Sequence, residues 1–176
     1  VRGQPLDRFI KEHAESIDSK VLCSLLSDLF AALSYLHSAK IMHCDVKEGN
    51  LLIDTKHQSR PTLQLVDLGV AHAIKSDDTL TMVAGTRRRM PKAIVDKLGT
   101  QSYAHIPRRE FEGWYPVLDL HLVGKMLDGL FFTPNRDENQ VLNKTLRVRL
   151  EKRLGATTWN FLRSMAAPVS YTHLTL

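Results

Sequence analysis

One short segment, Ile41-Met-His-Cys-Asp-Val-Lys-Glu-Gly-Asn-Leu-Leu-Ile-Asp54, carries side chains whose spacing could do chemistry: His43, Asp45, Lys47 and Asn50 in the pattern H-x-D-x-K-x-x-N. It reads as a short strand, a polar loop and a second short strand. Further on, the apolar stretch Leu63-Gln-Leu-Val66 ends in Asp67-Leu68-Gly69. A carboxylate, an ammonium, an amide and a second carboxylate are therefore expected at the ends of neighbouring strands. Such a set suits transfer of a phosphoryl group from a metal-bound nucleotide. One carboxylate takes or orients the acceptor proton. The amide and the other carboxylate offer oxygen, the ligand that Mg²⁺ prefers. The Lys neutralises charge on the moving group.

These residues resemble the motifs of the eukaryotic-type serine/threonine protein kinase family. His43-Cys44-Asp45 stands where the family has His-Arg-Asp, and Asp67-Leu68-Gly69 where it has Asp-Phe-Gly. The resemblance implies Asp45 as catalytic base, Lys47 on the γ-phosphate, and Asn50 and Asp67 as magnesium ligands. It implies ATP and Mg²⁺ as cofactors and a protein as acceptor. It places Leu52 under the adenine ring. Gly85-Thr86 matches the Gly-Thr before the family's substrate-binding loop, so Thr86 should support Asp45 and Lys47. Asp119 and Gly124 match a D-x-W-S-x-G helix, whose Asp bonds the backbone of the catalytic loop.

The elements that must position these groups are legible from periodicity. Pro5 suits a first helical position before Leu6, Phe9 and Ile10. Asp18 is an N-cap for a long helix to about Ala39, with Leu22, Leu25, Leu26, Leu29, Phe30, Leu33 and Leu36 on one stripe. Leu51, Leu52 and Ile53 form a strand, and Asp54 to Pro61 a polar turn. Val70 to Ile74 reads as a short strand and Lys75 to Leu80 as a polar, mobile stretch. Ala93 to Leu98 is a short helix. Gly99 to Trp114 reads as a polar, turn-rich insertion. Tyr115 to Gly124 is apolar on all sides, as a buried central helix would be, and His121 within it reads as a packed core residue. A turn at Thr133 leads to a helix from Glu138 to Leu154, stopped by Gly155, and a partial helix over 158–165. The fold class expected is α+β, mostly helical, like a kinase large lobe with short catalytic-loop strands and no small lobe.

Three features depart from the family pattern. Met90-Pro91-Lys92 stands where the family has Ala-Pro-Glu, one residue early. Lys92 reverses the charge of a Glu that pairs with a late Arg, so either another contact anchors this segment or the anchor is weak. Cys44 replaces an Arg that clamps a phosphorylated loop, so phosphates on Ser76, Thr79 or Thr81 would lack that partner. Arg87, Arg88 and Arg89 could favour an acidic or phosphorylated acceptor, but a solvated basic run is the plainer expectation.

Composition bounds the rest. The 176 residues suffice for one domain with a real core, and 43% hydrophobic with 24% charged residues is globular. A net charge of +5, spread along the chain, does not point to nucleic acid. Two cysteines, Cys23 and Cys44, suggest no disulfide framework and a reduced, cytoplasmic (intracellular) setting. No apolar run was expected to be long enough to cross a membrane. The eight histidines form no metal-binding cluster. Residues 1–168 read as a partial kinase domain, from the hinge to late in the large lobe. No G-x-G-x-x-G is present. The small lobe is therefore expected to be missing, and the segment alone to be inactive. Residues 169–176 resemble a translated sequencing adapter, an artefact tail. Two other readings compete: a small-molecule kinase of the aminoglycoside or choline type, which shares H-x-D-x-x-x-x-N, and a pseudokinase scaffold. Lys47 and the Gly85-Thr86 segment favour the protein kinase.

Overall fold

The computed structural model describes residues 2–56, 60–73, 80–99, 103–107, 116–132 and 144–167. The chain opens with a two-residue strand β1 (Gln4–Pro5) that runs straight into helix α1 (Leu6–His13). Pro5 is thus the cap residue rather than the first helical one. Its ψ of 146° is extended because it pairs with Leu52. Leu6, Phe9 and Ile10 turn inward at helical spacing.

Helix α2 (Ser19–Ser38) starts where its N-cap predicts: Asp18 accepts from the Val21 N–H at 2.8 Å. It ends where Lys40 enters the left-handed region at φ 58°. By length and composition it is apolar enough to cross a membrane, with a mean hydropathy of 1.4, contrary to the expectation from sequence. In this fold one face of it packs into the core. Leu22, Leu25, Leu26, Leu29 and Leu33 are buried, and Asp28 on another face grips Arg60 and the Leu63 N–H.

Beyond α2 come β2 (Ile41–Met42), one 3₁₀ turn (Glu48–Asn50), β3 (Leu51–Asp54), β4 (Thr62–Leu65) and β5 (His72–Ala73). β1, β3 and β4 form an antiparallel sheet with β3 in the middle, and β2 pairs with β5. The register Leu51↔Leu65 ends the β3–β4 ladder, and the Val66 N–H then reaches the Asn50 carbonyl at 2.9 Å. Asn50 and Asp67 therefore leave the sheet at the same end. Met42 and His72 are the last partners of the β2–β5 pair, which brings the 43–50 loop to that end as well.

β6 (Leu80–Ala84) pairs antiparallel with β7 (Tyr103–Pro107), from Leu80↔Pro107 to Ala84↔Tyr103. The insertion read as turn-rich thus contains a strand. Pairing satisfies backbone N–H and C=O groups that a free loop would leave to water, a long-range gain that no local propensity encodes. Between them lie a 3₁₀ turn (Arg87–Arg89) and helix α3 (Lys92–Leu98). The polar stretch of residues 75–79 lies outside the described residues.

Helix α4 (Val117–Leu127) is the buried centre, continued by a π-type turn (Asp128–Phe132). Leu118, Leu122, Val123, Met126 and Leu127 are buried, while Leu120 and Lys125 face outward. A Cβ on Gly124 would sit 2.7 Å from the Met165 carbonyl, so only glycine lets helix α5 (Lys144–Ala166) approach this closely. Gly155, at φ 74°, breaks α5 into two helical stretches at the expected stop. The predicted turn at 133 and the residues 169–176 lie outside the described residues. What is described is an α+β arrangement with few, short strands, the class expected.

Candidate phosphotransfer site

The site is built on the 43–50 loop, and helix α4 holds that loop from below. Asp119 is fully buried and accepts three hydrogen bonds: from the His43 N–H at 2.9 Å, the Cys44 N–H at 2.9 Å and His37 Nε2 at 2.8 Å. The first two fix a strained turn, since Cys44 sits at φ 64°, where a side chain is disfavoured. The imidazole of His43 adds a second tie. Its Nε2 donates to the Val66 carbonyl at 3.0 Å, and its Nδ1 accepts from the Asp45 N–H at 3.3 Å. One histidine thereby joins the loop to the strand end that precedes Asp67.

Asp45 emerges from this frame nearly buried, with four donors on one carboxylate. Oδ1 accepts from the Thr86 hydroxyl at 2.5 Å and the Thr86 N–H at 3.0 Å. Oδ2 accepts from Lys47 Nζ at 2.6 Å and Asn50 Nδ2 at 3.3 Å. Burial pushes this carboxyl up, but the bonds from Lys47 and Thr86 outweigh it and hold Asp45 below the usual carboxylate range. Lys47 also reaches towards the Thr86 hydroxyl, at 3.5 Å. Gly85 makes this docking possible: at φ 143°, a Cβ there would lie 2.4 Å from the Cys44 carbonyl and 2.3 Å from Met90 Cε.

Asp45, Lys47, Asn50 and Thr86 are thus brought together by direct bonds. Asp67 is not bonded to them among the described residues. It is exposed, at φ 68°, and its Oδ1 accepts from the Gly69 N–H at 3.1 Å. Leu68 beside it is 55% exposed. Asn50 spends its amide hydrogens on Asp45, at 2.9 Å to the carbonyl, so its side-chain oxygen is the atom left to face a cation. That oxygen and the Asp67 carboxylate are a hard, two-residue donor set. It suits Mg²⁺, which keeps waters and substrate phosphates in its other positions. The described residues contain no group of three or more His, Cys, Asp or Glu side chains that could hold a metal. Leu52 is half-buried on β3, its Cβ 3.1 Å from the place a Cβ on Gly3 would occupy.

Two contacts escaped sequence reasoning. Arg89 is not part of a solvated basic run: its Nη2 meets Glu48 Oε1 at 2.6 Å, with the side chain 13% exposed, whereas Arg87 and Arg88 are exposed. The other is the approach of the His121 ring to the Arg89 backbone. No spacing signal links residues 32 (121 − 89) or 41 positions apart; only the hydrophobic setting of His121 hinted at burial. Lys92, the reversed charge, points away at 85% exposure and pairs with Asp96 at 2.7 Å. Cys44 is buried with its thiol pushed up by burial first and by Asp119 second, so it is inert rather than nucleophilic.

Comparison with known proteins adds an independent line. The sequence profile described as "Protein kinase domain" matches residues 1–107, more than half of the chain. Among curated proteins, the probable serine/threonine-protein kinase zyg-1 of Caenorhabditis elegans is 27% identical over 100 residues, covering 57% of this chain and 14% of the relative. Serine/threonine-protein kinase dkf-1 of the same organism is 27% identical over 99 residues, covering 56% and 14%. Death-associated protein kinase 2 of Mus musculus is 29% identical over 96 residues, covering 54% and 26%. The chain therefore spans between about a seventh and a quarter of the length of these relatives.

Proposed function

Because this chain belongs to the protein kinase domain family, we propose that it supplies the catalytic loop of a kinase that moves the γ-phosphoryl group of ATP to a serine or threonine of a protein. The observation that carries this reading is the four-donor clamp on Asp45. A carboxylate fixed on both oxygens and kept ionised is a poor free base. It is well placed to orient an acceptor hydroxyl and to take its proton as the phosphorus–oxygen bond forms and ADP leaves. Lys47, bonded to Asp45, brings a positive charge to the side where the transferred group must pass. Thr86 locks the acceptor segment onto the same carboxylate. Asn50 and Asp67 would hold Mg²⁺, and that ion supplies charge neutralisation of the phosphates when bound. Leu52 would pack against the adenine. The relatives' names support a protein acceptor over a small alcohol. An ATP-dependent reaction also suits an intracellular setting.

The test uses the intact protein that carries this segment, with γ-labelled ATP, Mg²⁺ and a panel of protein substrates. Mg²⁺-dependent label on Ser and Thr, lost in Asp45→Asn, is the expected result. Label on a small-molecule alcohol would sink the reading. A second reading, a scaffold that binds nucleotide without turnover, draws on the exposed Asp67-Leu68-Gly69 segment. Tight nucleotide binding with no label on any acceptor would establish it.

A further inference from the structure

Residues 85–91 must stay pressed on the catalytic loop for Thr86 to hold Asp45, yet the reversed charge at Lys92 faces solvent and, among the described residues, pairs only within its own helix. Something else does the pressing. Of the three arginines in this stretch Arg89 is the one whose side chain turns inward, and it lands on Glu48, in the 3₁₀ turn between Lys47 and Asn50. The bond is a single one, Nη2 to Oε1 at 2.6 Å. Arg89 Nη1 and Glu48 Oε2 are buried with no hydrogen-bond partner among the described residues. Breaking the one bond would therefore strand two part-buried charges, a costly way to lose an ion pair. The Arg89 backbone also lies against the ring of His121, two residues from the Asp119 that holds the other end of the loop. The pair so closes a frame of three pieces: helix α4, the catalytic loop and the 85–91 segment.

We propose that the Glu48–Arg89 ion pair is the clasp that docks the 85–91 segment on the catalytic loop, making both residues positioning residues that act through Thr86 on Asp45 and Lys47. This rests on the kinase reading for its effect on rate, but not for the clasp itself. Because the bond is single, a lysine at 89 can replace it, while a methionine fills similar space without charge.

The experiment uses the intact protein with Glu48→Gln, Arg89→Met, Arg89→Lys and the double variant Glu48→Gln/Arg89→Met. Two quantities are read: steady-state kinetics on a protein substrate, and the rate of tryptic cleavage after the exposed Arg87 and Arg88. Expected are a tenfold or greater loss of kcat in Glu48→Gln and Arg89→Met, with KM for ATP within threefold. Arg89→Lys should keep kcat within threefold of the parent. The double variant should be no worse than the poorer single by more than twofold, and cleavage should rise at least tenfold in both charge-removing variants. Equal losses in Arg89→Lys and Arg89→Met, or losses that multiply in the double variant, would overturn the clasp. Should the parent transfer no phosphoryl group, the kinase reading falls alone and cleavage decides: an unchanged rate in Glu48→Gln rejects the clasp. Should Glu48→Gln not fold, the contrast between Arg89→Lys and Arg89→Met decides on both readouts.

Discussion

Substituting Asp119 by Asn tests whether one buried carboxylate really sets the catalytic loop. The change keeps the shape and one acceptor. The remaining oxygen best replaces Oδ2, which serves His43 N–H and His37. The new NH₂ then faces the Cys44 N–H, donor against donor. An orphaned buried amide costs about 1–3 kcal/mol, and turning two charge-assisted bonds into neutral ones costs roughly 1 kcal/mol each. The sum is about 3–5 kcal/mol, against a total stability on the order of 5–15 kcal/mol. The left-handed strain at Cys44 adds to the pull away from the native turn, because the lost bond is the one that offsets it. With a urea dependence of about 1–3 kcal/mol per molar, the unfolding midpoint should fall by roughly 1–5 M. Hydrogen exchange locates the damage. A local loss of about 2 kcal/mol at residue 44 should speed its amide exchange roughly thirtyfold, while amides in the middle of α2 follow only the global change. A midpoint within 0.5 M of the parent (a threshold set by the estimate above), with residues 43 and 44 exchanging within twofold, would refute the reasoning.

Other outcomes are equally specific. Gly85→Ala should unseat Thr86, because the new Cβ would meet the Cys44 carbonyl at 2.4 Å in a backbone shape that L-residues avoid; a loss of about tenfold or more in kcat, roughly 1.4 kcal/mol in barrier, with an unchanged melting curve away from the site would show it, and parent-like turnover would exclude it. Asp28→Ala should destabilise by about 1–3 kcal/mol in chemical denaturation, since it removes a two-point Arg60 pair and the acceptor of Leu63 N–H. Arg60 holds the Asp28 carboxyl below its usual range, so its contribution is full above the unfolded carboxylate pKa of about 4 and fades as pH falls through the lower folded value; a parent and Asp28→Ala with the same acid unfolding profile would contradict this. Phosphates on Ser76, Thr79 or Thr81 should not switch the protein on, because Cys44 is a short, buried, uncharged side chain whose thiol points at the Met42 carbonyl. A rise in kcat of tenfold or more, about 1.4 kcal/mol, on phosphorylating those sites would show that another cation does the clamping.

What the sequence disclosed was local or periodic. Asp18 marked the start of α2 because an N-cap acts within three residues. Gly155 marked the break in α5 because a positive φ is a one-residue property. The H-x-D-x-K-x-x-N spacing placed Asp45, Lys47 and Asn50 on one loop, where they meet. What stayed hidden was long-range. Glu48 and Arg89 form a part-buried pair across 41 positions, and the pattern of three arginines suggested solvent. The β6–β7 pairing depends on two stretches with no strong strand signal finding each other. Helix α2 shows the converse hazard: its leucines satisfy a membrane criterion, and only their neighbours in the fold show that they make a protein core.

The two sides of the site also differ in how much of their order lies within this chain. On the acceptor side every contact is made: Asp45 has four donors, and Thr86 is seated by Gly85. On the side assigned to nucleotide, Asp67 has only the Gly69 N–H among the described residues, and Leu52 is half-exposed. Preorganised groups spend little energy when the substrate arrives and act mainly on the transition state. Groups ordered by the ligand draw on its binding energy instead. Substitutions at Asp45, Lys47 or Thr86 should therefore appear in kcat, and those at Asp67 or Leu52 first in nucleotide affinity. A kinetic survey in which Leu52→Ala lowered kcat at saturating ATP as far as Thr86→Ala would remove that division.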